Sequence, residues 1–145
     1  MSCTHCGEEL LVFHLPPAYR SPSLLPAGFD DPTSVTAASI CPQCLAVEPV
    51  TDSEASLPAL EGSRTDRISQ VFPSSSSAAV PMALALACCA SFAHNRSTLA
   101  RLLERVEQAG TDPLLTIDRL LDDPGIEPSV ALERRRHQIE QLLYG

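Results

Sequence analysis

The chain has 145 residues and a formal net charge of −8, with 44% hydrophobic and 4% aromatic residues and no tryptophan. That length allows one ordinary domain or two small ones, and the composition points to a core of Leu, Ala, Val and Ile. All ten basic residues are arginine and lysine is absent. This balance suits a halophilic cytoplasm, where molar salt screens the self-repulsion of an acidic surface; the alternative is an acidic cytosolic protein from a GC-rich genome, which also favours Arg over Lys.

The first element is a tight turn, Cys3-Thr4-His5-Cys6-Gly7. Glycine stands just past the second cysteine, where the chain usually needs positive φ to continue. Leu10 to Leu15 is a short apolar run bounded by Glu8-Glu9 and Pro16-Pro17, and it predicts a strand. Residues 16–32 contain five prolines and Gly28 and read as an irregular excursion, whose Tyr19, Leu24, Leu25 and Phe29 cover the local sheet or meet another surface. Ser34 to Ile40 predicts a second strand, antiparallel to the first, leading into a second turn, Cys41-Pro42-Gln43-Cys44. Here proline pre-sets the first turn torsion and Leu45 replaces the expected glycine. Residues 45–50 predict a short third strand.

Two Cys-x-x-Cys pairs, 34 residues apart, bring four thiolates to one tetrahedral ion, and zinc is the expected cofactor at Cys3, Cys6, Cys41 and Cys44. The ordinary spacing between such pairs is about 15–20 residues, and the excursion accounts for the excess. Six cysteines also permit disulfides. However, residues 1–15 carry two cysteines and Glu8-Glu9 where a secretory signal has its apolar core. A reducing cytoplasm then favours metal over disulfide. His5 and His14 are alternative ligands that four cysteines make unnecessary. A thioredoxin-like redox pair would need a βαβ unit, and no such pattern appears.

Residues 51–65 are acidic, lack periodicity and read as a linker between a zinc ribbon over 1–50 and a helical domain over 66–145. Residues 66–72 predict one or two helical turns that pin Phe72. A serine of the run Ser74 to Ser77 caps the helix that follows. Ala79 to His94 is apolar nearly all round and predicts a buried central helix, with Pro81 in its first turn and Cys88-Cys89 as small core residues. Leu99, Leu102, Leu103 and Val106 mark the next helix, capped by Ser97 and stopped by Gly110. Asp112-Pro113 starts a third, with Leu114, Leu115, Ile117, Leu120 and Leu121 as its stripe. A last helix is expected from about Pro128 to Leu143. The fold class is therefore α+β: an antiparallel zinc ribbon followed by a small domain of about four helices. No apolar run is expected to reach the roughly 18 residues of a membrane span, so a cytoplasmic protein with no membrane contact is expected.

This combination resembles a family of small haloarchaeal proteins of unknown function with an N-terminal Cys-Pro-x-Cys-Gly-type zinc ribbon and a helical C-terminal region. The four cysteines carry the resemblance, with Phe72-Pro73, Ala79-Val80-Pro81, Leu102 to Glu107, Asp112 to Leu115 and Leu132 to Gln138. It implies a zinc protein of a salt-adapted cytoplasm and implies no activity. Thr4 stands where proline is usual, and Leu45 where glycine is.

No catalytic grouping stands out, and a four-cysteine site leaves no coordination position for water, so an enzyme is not expected. Residues 1–50 offer Arg20 against five acids, too few cations for phosphate contacts. Nucleic acid is therefore the second reading, behind a protein-interaction adaptor or regulatory module. The partner is a protein of unknown identity, or a second copy in a homodimer formed through apolar helix faces. Candidate contacts are Arg134 and Arg135 for an acidic partner and Tyr19 and Phe29 for an apolar one. The alternative for the run Arg134-Arg135-Arg136 is pairing within the chain, with Arg136 spaced to meet Glu133 and Glu140.

Overall fold

A computed structural model describes residues 2–29, 35–50 and 57–144. Three strands of four residues each, β1 (Leu11–His14), β2 (Ala37–Ile40) and β3 (Val47–Val50), form an antiparallel sheet in the order β1-β2-β3. Leu11 pairs with Ile40 and Ile40 with Val47, so the strand ends nearest the cysteines lie side by side. The strands are shorter than the apolar runs because each is closed off by a turn or by proline. Pairing runs on slightly, since the Leu15 amide donates to the Thr36 carbonyl at 3.1 Å. Residue 34, where the second strand was expected to begin, lies outside the described residues, as do 51–56 of the expected linker.

From Leu57 onward that linker is packed. The His14 amide donates to the Pro58 carbonyl at 2.9 Å, which lays the segment along the free edge of β1. Leu60 and Thr65 are fully buried, and the Arg64 guanidinium donates to the Val12 carbonyl. A single helical turn, α1 (Ser63–Asp66), precedes buried Ile68 and Phe72. The helix α2 (Ser76–Cys88) is buried from Ala78 to Cys88 and continues as a 3-10 helix to His94. Ser75 stands at its N-cap without a side-chain cap bond. Because α2 begins earlier than expected, Pro81 falls in its second turn, where it removes one helical hydrogen bond. With the 3-10 continuation, Ser76–His94 is long and apolar enough to cross a membrane, contrary to the sequence estimate; most of it is buried inside the protein.

The remaining helices are α3 (Arg96–Gln108), α4 (Pro113–Asp122) and α5 (Leu132–Tyr144). The predicted stripe of α3 is fully buried. Its end is a Schellman motif around Gly110 at φ 89°: the Gly110 amide donates to Glu107 and the Thr111 amide to Val106. The Asp112 carboxylate accepts from the Leu114 and Leu115 amides at 3.0 and 3.2 Å, the cap its sequence predicts. Three expectations need correction. The last helix, α5, begins at Leu132, not at Pro128. The residue at the α3 N-cap is Asn95, not Ser97. Leu115 is 45% exposed, not part of the buried stripe.

One apolar cluster joins sheet and helices. It runs from Leu11, Phe13 and Ile40 through Leu60 and Met82 to Leu99, Ile117 and Ile139. Within the compositional division, residues 57–65 are packed into this cluster through Leu60.

Candidate metal centre

The two cysteine turns are built alike. In the first, the Cys3 amide donates to the Glu8 carbonyl at 2.7 Å and the Gly7 amide returns to the Cys3 carbonyl at 2.9 Å. In the second, the Cys41 amide donates to Ala46 at 2.9 Å and the Leu45 amide to Cys41 at 3.0 Å. Each turn also points an amide at its first sulfur, from His5 to Cys3 Sγ and from Cys44 to Cys41 Sγ, both at 3.4 Å. A chain that folds back this tightly needs positive φ after the second cysteine, and Gly7 has φ 82° there. Leu45 fills the equivalent place with φ 63°, the one positive-φ residue other than glycine among those described.

For a branched side chain this conformation costs about 1–2 kcal/mol. Burial offsets it, since Leu45 is 5% exposed and belongs to the main apolar cluster. Leu45→Gly removes the strain but also a buried side chain whose loss costs about 2–5 kcal/mol. The net expected result is a lower midpoint in urea unfolding, by roughly 1–3 kcal/mol of stability. A variant more stable than the parent would show that strain at Leu45 outweighs its packing.

Sheet pairing brings the turns together. The four sulfur atoms lie within 4.8 Å of one another, with Cys3 Sγ 3.5 Å from Cys44 Sγ and Cys6 Sγ 3.3 Å from Cys41 Sγ. All are free thiols; Cys3, Cys41 and Cys44 are buried and Cys6 is exposed. Burial opposes ionisation of Cys3, but bonds from the His5 and Cys6 backbone and the neighbouring thiols outweigh it and bring its pKa to about 7. At Cys44 burial prevails and pushes the thiol up. Several thiolates this close are stable only with a cation among them, so the donor set fits one metal ion bound by four sulfurs. The second turn is held from behind by chain beyond α4. The Glu127 amide donates to Gln43 at 2.8 Å and the Ser129 amide to Cys44 at 3.0 Å. The sequence carries no local signal for this brace. Leucine in place of glycine predicts a less regular second turn, but Leu45 takes positive φ as Gly7 does and the two turns match.

The other expected site residues lie elsewhere. Tyr19 is 8% and Phe29 5% exposed, so both cover the core and neither is presented to a partner. The Tyr19 ring lies under the Arg105 guanidinium, 5.8 Å from centroid to carbon. Arg135 turns inward: its Nε donates to the Cys89 carbonyl at 3.0 Å and its guanidinium lies over Phe92. Arg136 pairs with Asp118 at 2.9 Å and with Glu140, not with Glu133. Arg134 is exposed, without an ion pair among the described residues. Cys88 and Cys89 are buried core residues, 0% and 1% exposed.

These features define a small mixed protein: a three-stranded antiparallel sheet bearing four clustered cysteines able to hold a metal ion, packed with helices. The chain belongs to DUF6276, a family of unknown function, whose profile matches residues 2–143. No curated protein and no solved structure matches it.

Proposed function

We propose that the protein is a zinc-stabilised, non-enzymatic recognition module, an adaptor or regulator of protein interactions, whose N-terminal sheet and turns form a zinc ribbon. The observation that carries this reading is the meeting of two like-built turns with four sulfurs within 4.8 Å. Zinc–sulfur bonds of about 2.3 Å set the sulfurs of a tetrahedron about 3.8 Å apart, inside the range found here. Four thiolates favour zinc over harder ions. A shell closed by four sulfurs leaves no place for substrate, which supports a structural rather than a catalytic ion. Metal analysis of the purified chain should give one zinc per molecule, lost in Cys3→Ser and Cys41→Ser. Full occupancy in a chain lacking both Cys41 and Cys44 would overturn the assignment.

Nucleic acid as partner is the weaker alternative, because Arg135 and Arg136 are engaged within the chain and phosphate contacts require free cations. A reducing cytoplasm and adaptation to salt complete the proposal, on free cysteines, absent lysine and the −8 charge. The melting temperature should then rise as potassium chloride is taken from low to molar concentration. A flat or falling trend would count against a halophilic origin.

A further inference from the structure

The four clustered sulfurs are not equivalent. Across the turns they make two contacts, Cys6 Sγ with Cys41 Sγ at 3.3 Å and Cys3 Sγ with Cys44 Sγ at 3.5 Å. The second contact is buried, whereas the first opens to solvent through Cys6, the one exposed cysteine of the six. Around Cys6, the residues Thr4, His5, Gly7 and Glu8 are exposed as well. A Cβ at Gly7 would meet nothing within 4 Å, so the space beside Cys6 is clear. The second turn is the opposite case. Cys41 is 0% exposed, and the Glu127 and Ser129 amides hold Gln43 and Cys44 from behind. A small solute therefore reaches the centre at Cys6, and the sulfur of Cys41 lies in contact with the one it meets. A metal-bound cysteine is a thiolate, the nucleophilic form of the side chain. An accessible thiolate beside a second cysteine is the arrangement of a reversibly oxidised thiol, because the neighbour captures the first product before further oxidation.

We propose that Cys6 is a site of oxidation by hydroperoxides, that Cys41 is its resolving partner, and that the disulfide they form releases the metal. The proposal rests on the zinc centre of the preceding reading and names its regulation. In the first step the Cys6 thiolate attacks one peroxide oxygen. An S–O bond forms, the O–O bond breaks, and the other oxygen departs as hydroxide, which a proton converts to water when the oxidant is hydrogen peroxide. The Cys41 thiolate then attacks the Cys6 sulfur. The S–S bond forms, the S–O bond breaks, and the hydroxide set free takes a second proton. The two sulfurs have together given two electrons to the peroxide. Cys3 and Cys44 stay reduced, a donor pair too small to close a zinc shell. A dithiol returns the two electrons by thiol–disulfide exchange and restores all four donors.

The test treats the full-length, zinc-loaded protein with hydrogen peroxide. Zinc release is read with a chromophoric chelator and cysteine linkage by peptide mass spectrometry. The bound zinc should be released as a Cys6–Cys41 disulfide forms, with Cys3, Cys44, Cys88 and Cys89 still alkylated as thiols after denaturation. With dimedone present from the start, its sulfenic acid adduct should appear at Cys6. Dithiothreitol and added zinc should restore the metal content and melting temperature of the untreated protein. Cys6→His keeps a four-donor shell of three sulfurs and one imidazole. That variant should lose zinc to peroxide at least about tenfold more slowly, since its exposed donor is no longer a thiolate. Linkage within a turn, Cys3 to Cys6 or Cys41 to Cys44, would overturn the assignment, as would a first adduct at another cysteine or equal rates for parent and Cys6→His. Zinc content before peroxide separates the two readings. A chain that carries zinc and keeps it under excess peroxide overturns the switch alone, whereas one that carries none overturns the zinc centre and the switch with it.

Discussion

Stripping the metal with a strong chelator is expected to abolish most of the helical circular dichroism, along with the structure of residues 1–50. Strands of four residues cannot hold a sheet by backbone pairing alone. A structural zinc site contributes on the order of 10–16 kcal/mol of apparent binding energy, against about 5–15 kcal/mol for the total stability of an ordinary domain. Independent helices could survive that loss, but these helices share their core with the sheet. Leu11, Phe13 and Ile40 lie in one cluster with Met82 and Leu99, and the Glu127 and Ser129 amides reach back to the second cysteine turn. Collapse of the turns therefore opens the floor of the helical part. The measurement is zinc release by a chromophoric chelator, followed alongside the far-ultraviolet signal. A metal-free chain that kept its helicity and a cooperative melt would show that the composition break at 51–65 is a folding boundary as well.

What was legible in the sequence was local or strictly periodic. The turn within each cysteine pair, the stripe of α3 and the Asp112 cap depend on residues within a few positions of each other, and these are found in the structure. What escaped was decided by distant partners. Pro128 looked like a helix start, yet α5 begins at Leu132, because the amides just before it are bonded to Gln43 and Cys44. Leu115 has the periodicity of a core residue but lies where no neighbouring element among the described residues covers α4. For Tyr19 and Phe29 the sequence favours covering the local core over meeting a partner, and both are buried; the stacking of Tyr19 on Arg105 is the part it does not announce.

The entry to α3 illustrates the same rule and gives the last large expected effect. Ser97 fits the N-cap preference, but the chain turns at Asn95, whose side chain does not cap the helix. Its Oδ1 accepts from the Ala27 amide at 2.9 Å, and its Nδ2 donates to the Ser91 carbonyl at 3.0 Å and to Cys88 at 3.4 Å. One side chain, 3% exposed, thus holds the proline-rich excursion against the end of α2, where Ser91 leaves helical geometry. Asn95→Leu keeps the volume and strands these groups without partners. At about 1–3 kcal/mol for a stranded buried group, a loss of roughly 2–5 kcal/mol is expected, a fall in melting temperature on the order of 10 °C. Asn95→Asp keeps the acceptor for Ala27 but, once ionised, offers no donor to the two carbonyls. Burial should raise its pKa above the ordinary value of about 4. The variant should then be closest to the parent at acidic pH and lose stability as pH rises through the folded-state pKa. Ser97→Ala, the cap that local rules select, should stay within about 0.5 kcal/mol of the parent. If Ser97→Ala instead carried a cap-sized penalty of about 1 kcal/mol and Asn95→Leu were silent, the excursion would be held by its own apolar side chains alone, and the Asn95 bonds would contribute nothing net to the fold.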